Sequence, residues 1–150
     1  MTKDKFPIIE LFSSIQGEGI LAGVPMTFIR FAECNLRCRY CDTKYSWNTT
    51  EKLMSIEEIY KEVHTKWIYL TGGEPLLNPN LMKLVGFFKN AHYSVAIATN
   101  GSILPPEGYY LVDFWTVDAK CTSADVGNPS KVYEWGKNGQ VIGEMKFVVG

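Results

Sequence analysis

The sequence predicts an α/β domain built on a parallel sheet of βα units. Two observations carry this. Short runs rich in β-branched and aromatic residues alternate with stretches whose apolar residues recur every three or four positions, the pattern of strands joined by amphipathic helices with right-handed crossovers. The residues with distinctive chemistry, Cys34, Gly72-Gly73, Thr99-Asn100 and Asp118–Lys120, all follow the ends of such runs. In an open parallel sheet those ends are where ligands gather.

In chain order, residues 6–12 read as a short strand and 13–23 as a glycine-punctuated loop. Residues 25–32 (PMTFIRFA) read as a strand that delivers the chain to Cys34. After a polar loop, Ser55 and Glu58 have the spacing of a helix capping box, and Ile56, Ile59, Tyr60 and Val63 form one apolar face. Residues 67–71 are a second core strand ending at Gly72-Gly73. Asn80 is placed to cap a helix whose Leu81, Leu84, Val85 and Phe88 repeat the spacing. Residues 93–99 form a third strand stopped by Asn100-Gly101, residues 111–117 a fourth after Pro105-Pro106, and 145–149 a fifth. A short helix is expected near 130–136.

The 150 residues are one domain's worth, 46% hydrophobic and 13% aromatic, without internal repeat or low-complexity segment. A net charge of −1 argues against a nucleic-acid or membrane-surface protein, which needs a concentrated basic face. No apolar run has membrane-spanning length, and the first residues lack a secretory pattern. Four cysteines, three of them within eight residues, suit a metal site in a reducing compartment better than a disulfide framework. A cytoplasmic location is the expectation.

Cys34, Cys38 and Cys41 have C-x3-C-x2-C spacing. Three thiolates on one short loop can face a common centre, and soft sulfur suits iron–sulfur clusters or zinc. Zinc would need a fourth ligand, with Cys121 or His64 as candidates, although its usual knuckles are C-x2-C. Three ligands on a cubane would leave one iron open to substrate.

This spacing, with Tyr40 in the aromatic slot before the last cysteine, resembles the radical S-adenosylmethionine superfamily. Gly72-Gly73-Glu74-Pro75, closing the second core strand, resembles the superfamily's second motif. The resemblance implies a shortened partial (β/α) barrel. It also implies a [4Fe–4S] cluster on Cys34, Cys38 and Cys41 whose open iron chelates S-adenosylmethionine, with Glu74 offering a negative charge nearby.

Ser14-Ile-Gln-Gly-Glu-Gly19, Arg30 and Asp42-Thr43 narrow the resemblance to the 7-carboxy-7-deazaguanine synthase family. That family rearranges 6-carboxy-5,6,7,8-tetrahydropterin to 7-carboxy-7-deazaguanine with loss of ammonia, in queuosine and deazapurine synthesis. It works through a 5′-deoxyadenosyl radical that takes hydrogen from substrate C6. By this resemblance Ile15, Gln16, Gly17, Glu18, Arg30 and Thr71 contact substrate, Arg30 through its carboxylate. Thr43 ligates Mg²⁺. Tyr40, Cys41, Asp42, Gly72, Gly73, Glu74, Asp118, Ala119 and Lys120 line the S-adenosylmethionine pocket. No catalytic side chain is assigned beyond cluster and cofactor. The family further implies an electron donor such as flavodoxin or ferredoxin, a homodimer, and a C-terminal extension beyond the single domain at 1–150.

Two alternatives stand beside this lyase reading: a glycyl-radical activase of the same superfamily, or a non-enzymatic iron–sulfur or zinc protein. An activase gives the QGEG loop and Arg30 no role, and a non-enzymatic protein leaves Gly72-Gly73-Glu74-Pro75 and Tyr40 without one. Cys121 is expected to be a partly buried thiol, and His64 and His92 structural or surface residues.

Overall fold

The structure is a computed structural model that describes residues 4–50, 52–120, 126, 131–137 and 143–147. Its strands are β1 (Lys5–Ile15), β2 (Pro25–Phe31), β3 (Leu53–Ser55), β4 (Trp67–Gly72), β5 (Ser94–Thr99), β6 (Phe114–Ala119) and β7 (Gly143–Phe147). Helices α1 (Ile56–Lys61), α2 (Leu81–Asn90) and α3 (Val132–Gly136) lie between them. The strands form one sheet in the order β3-β1-β2-β4-β5-β6-β7, parallel from β2 to β7 and antiparallel where β1 meets β2 and β3. This is a partial (β/α) barrel with a two-strand antiparallel border.

Strand alternation sorts the core from the site. Ile29 and Phe31 of β2, Ile68 and Leu70 of β4, Val95 and Ile97 of β5, and Trp115 and Val117 of β6 face the helical layer. There they pack with Ile56 and Ile59 of α1 and with Leu81, Leu84, Val85 and Phe88 of α2. The opposite face, Phe28 and Arg30, Tyr69 and Thr71, Ala98, Thr116 and Asp118, lines a cavity. The expected apolar helix faces are therefore the ones buried. Tyr60 is the partial exception: it is 42% exposed, its ring against Phe87, Phe88 and Tyr93 at the layer's margin.

The capping box forms as expected: Ser55 Oγ accepts the Glu58 N–H and Glu58 accepts the Ser55 N–H. Asn80 occupies the N-cap of α2, but its side chain makes no cap bond; Asn78 Oδ1 accepts the Asn80 N–H instead, at 2.9 Å. His92 has φ 64°, a left-handed residue just past α2. That is a structural role, as expected of it.

Four features differ from the sequence expectation. β1 continues through Ser13-Ser14-Ile15, which pair with Thr27, Met26 and Pro25 where a loop was expected. β3 was not foreseen. The β5–β6 crossover contains no α-helix, only a 3-10 turn at Tyr109–Leu111, and β6 begins at Phe114 rather than at 111. Asp113 buttresses this bare crossover, accepting the Val95 N–H at 2.7 Å and pairing with Lys89 of α2 at 2.7 Å. β7 begins two residues earlier than expected, and residues 148–150 lie outside the described set.

Candidate active site

The cysteine loop leaves β2 through a strained turn. Glu33, immediately before Cys34, has φ 73°, in the left-handed region that side chains disfavour. Both its backbone groups are tied: its N–H donates to Asn48 O at 3.2 Å, and its carbonyl accepts the Glu74 N–H at 2.8 Å. Gly73 is what permits this approach, because a Cβ there would lie 1.9 Å from the Glu33 carbonyl oxygen. The two sequence motifs are thus physically one unit, the glycine of the second fitting against the backbone of the first.

Within the loop, Arg37 donates to the carbonyls of Cys34 and Leu36 (2.5 and 2.9 Å) and lies over the Trp47 ring. The Cys41 N–H donates to Cys38 O at 3.1 Å, and Thr43 Oγ1 lies 3.7 Å from Cys41 Sγ. Cys34 Sγ accepts from the Leu36 N–H and, at 3.8 Å, from the Asn100 side-chain amide. The three thiols are unbridged and border one cavity. Burial pushes the Cys34 and Cys38 thiols up, with Lys120 opposing this at Cys38. Among the described residues no three His, Cys, Asp or Glu side chains are gathered tightly enough for a single metal ion. Three soft sulfur donors on one loop, bordering one cavity, are a donor set that suits an iron–sulfur cluster. His64 is exposed and precedes β4, at the strand end opposite the cysteines, about 20 Å away along six residues. It cannot complete a four-ligand site with them. Cys121 lies outside the described residues.

The cavity is about 430 Å³. Of the residues singled out from sequence, it brings together Gln16, Glu18, Arg30, Cys34, Cys38, Tyr40, Cys41, Asp42, Thr43, Thr71, Gly72, Gly73, Asp118 and Lys120. Arg30 Nε donates to Glu10 at 2.9 Å, and its guanidinium lies 5.9 Å from the centre of the Tyr45 ring. Lys120 pairs with Asp118 and sits 5.5 Å over Tyr40. Asp118 Oδ1 is buried without a hydrogen-bond partner, an acceptor available to a bound ligand.

Four residues do not border the cavity. Ile15 is 63% exposed, Gly17 and Ala119 are off its lining, and Glu74 is 1% exposed beneath it. Glu74 Oε1 accepts the Leu76 N–H (3.0 Å) and the Thr99 hydroxyl (2.9 Å), and Oε2 accepts the Asn100 N–H (2.6 Å). Burial pushes its carboxyl up against the opposing pull of those donors. Its charge is thus spent inside the protein, joining the ends of β4 and β5.

Sequence reasoning missed Phe28, Tyr69, Thr116 and Lys146, all of which line the cavity, as does Asn100, expected at the strand ends but given no role. A signal existed for three of them. Phe28, Tyr69 and Thr116 stand two residues before Arg30, Thr71 and Asp118, so strand alternation places each pair on the same face.

A profile of the Radical SAM superfamily matches residues 28–111, more than half of the chain and the part that carries both motifs. The chain belongs to the Radical SAM superfamily. Among its relatives are 7-carboxy-7-deazaguanine synthases. That of Aquifex aeolicus is 36% identical over 143 residues, covering 93% of this chain and 63% of the relative. That of Halobacterium salinarum is 45% identical over 102 residues, covering 65% of this chain and 40% of the relative. The chain spans less than two thirds of the length of these relatives. Its fold resembles the crystal structure of QueE from Escherichia coli, with TM-score 0.68 and 19% identity over 96% of this chain and 84% of that one. Superfamily membership implies a [4Fe–4S] cluster and S-adenosylmethionine, and the three unbridged thiols bordering one cavity fit that cluster. No helix among the described residues is long and apolar enough to cross a membrane.

Proposed function

We propose that this chain is a radical S-adenosylmethionine lyase converting 6-carboxy-5,6,7,8-tetrahydropterin to 7-carboxy-7-deazaguanine. The observation that carries the reading is a convergence. Gln16 and Glu18 of the QGEG loop and Arg30 border the same cavity as the three thiols, and the relatives bear that enzyme's name.

Cys34, Cys38 and Cys41 would hold the cluster, which with S-adenosylmethionine supplies the one-electron chemistry that removes hydrogen from substrate C6. The chain's own residues bind and orient. Arg30 has its Nε committed to Glu10, leaving the two terminal nitrogens of its planar fork to grip the substrate carboxylate. Gln16, Glu18 and Thr71 would bound the bicyclic ring, with Ile15 and Gly17, off the cavity lining, setting the course of the loop. Tyr40, Cys41, Asp42, Gly72, Gly73, Asp118 and Lys120 would surround S-adenosylmethionine, with the buried Ala119 placing the two residues beside it. Asp118 Oδ1, buried and unpartnered, suits one of its donor groups. Glu74 contributes by holding Asn100 and the β4 end in place rather than by touching the cofactor. Thr43, with a hard hydroxyl oxygen beside Asp42 at the cavity wall, would ligate Mg²⁺.

The domain would work as a homodimer supplied by flavodoxin or ferredoxin. Supporting the dimer, β7 is a sheet edge among the described residues and leaves Met145 and Phe147 exposed. The test is direct: reconstitute the cluster anaerobically, supply dithionite, S-adenosylmethionine and the pterin, and detect product by mass with and without Mg²⁺. Product that rises with Mg²⁺ supports the assignment. Formation of 5′-deoxyadenosine without any deazaguanine product would remove the substrate.

A further inference from the structure

The terminal glycine of the QGEG loop has no part in the reading above, and neither does Glu144. The structure joins them. The loop follows β1, near one border of the sheet, whereas Glu144 lies on β7 at the other. Yet Glu144 Oε2 accepts the Ile20 N–H at 2.9 Å, across a separation of 124 residues. Gly19 (φ 69°) is where the two meet: a Cβ there would fall 2.1 Å from Glu144 Oε1. A side chain at 19 would therefore both strain the backbone and expel the carboxylate.

Glu144 is itself held from the other side. It pairs in register with Thr116, whose hydroxyl donates to Glu144 Oε1 at 3.1 Å. Thr116 lines the cavity together with Tyr69 and with Gln16 of the loop. Two residues on, Lys146 forms an ion pair with Glu18. Polar contacts from β7 thus reach the loop at two points, Glu18 through Lys146 and Ile20 through Glu144, which Thr116 holds from the sheet. They tie β7 to the segment that follows β1.

We propose that Glu144 is the positioning residue for substrate: a latch on β7 that holds residues 16–20 in their binding conformation over the cavity. This rests on the reading of that loop as the substrate-binding one, and half of its test is independent of substrate. Hydrogen exchange on the cluster-loaded protein, compared with Glu144→Ala, should show the amides of residues 16–20 exchanging about tenfold faster or more, with α2 amides unchanged. Glu144→Gln, which keeps an acceptor oxygen, should restore much of the protection. In steady-state turnover of the pterin, Glu144→Ala should raise KM about tenfold while kcat stays within about twofold. Unchanged loop exchange in Glu144→Ala overturns the latch. Faster exchange with unaltered KM overturns its role in positioning substrate. If the wild-type protein does not turn over the pterin, the proposed function fails, whereas loop exchange still decides whether Glu144 holds the loop.

Discussion

The Asn100 N–H donates to Glu74 Oε2 at 2.6 Å, and the side chain of the same asparagine reaches Cys34 Sγ at 3.8 Å. The buried carboxylate of the GGEP motif is thereby one residue removed from a cysteine of the other motif. Removing it strands the Asn100 and Leu76 N–H groups and the Thr99 hydroxyl in a site closed to water. Glu74→Ala should cost about 3 kcal/mol of stability, read from the denaturant midpoint of the apo protein. It should also lower iron retention on reconstitution. A neutral result would mean those donors find other partners.

Burial raises the Glu74 carboxyl above its unfolded value, which sets the sign of its pH effect. The folded state binds the proton more tightly, so this group's contribution is fully present below the ordinary carboxylate range and is lost as pH rises through the raised folded value. The stability of the apo wild type relative to Glu74→Gln should therefore fall with rising pH over that window. Parallel urea titrations at stepped pH would show it; a gap that widens with pH contradicts the account.

Glu33 and Gly73 predict opposite outcomes at one contact. Glu33 is exposed and left-handed, so Glu33→Gly relieves backbone strain and should raise stability by about 1 kcal/mol, less what glycine costs through the unfolded chain. Gly73→Ala places a Cβ against the Glu33 carbonyl and should lower stability by several kcal/mol, about 3 or more, with loss of cluster binding. Thermal melts of the two variants decide both.

Asp113 stands in for the helix that the β5–β6 crossover lacks. Asp113→Ala frees the Val95 N–H and the Lys89 ammonium and should destabilise by about 1–2 kcal/mol. Hydrogen exchange should quicken at Val95 while β2 stays protected.

How far the sequence carried depends on distance along the chain. The capping box at Ser55 and Glu58 and the buried faces of α1 and α2 were legible because they are set by residues three and four apart. β1 was underestimated because Ser13 and Ser14 carry no strand signal of their own; β2 across the sheet supplies their partners. β3 is three residues long and exists only through β1. The site was legible where chemistry forces residue type: the cysteines, Arg30 and the glycines. It was not legible at Glu144, whose partners Ile20 and Thr116 meet it only after folding, nor at Glu74. There a charge that read as facing the cofactor turns inward to satisfy backbone donors.

The central claim is that Cys34, Cys38 and Cys41 hold a cluster with one iron left open to S-adenosylmethionine. Electron paramagnetic resonance of the anaerobically reconstituted, dithionite-reduced protein tests it most directly, with Cys38→Ala alongside. The account predicts a reduced-cluster signal that changes when S-adenosylmethionine is added and is absent from Cys38→Ala. Bound zinc in place of iron, or a cluster signal indifferent to S-adenosylmethionine, would contradict it.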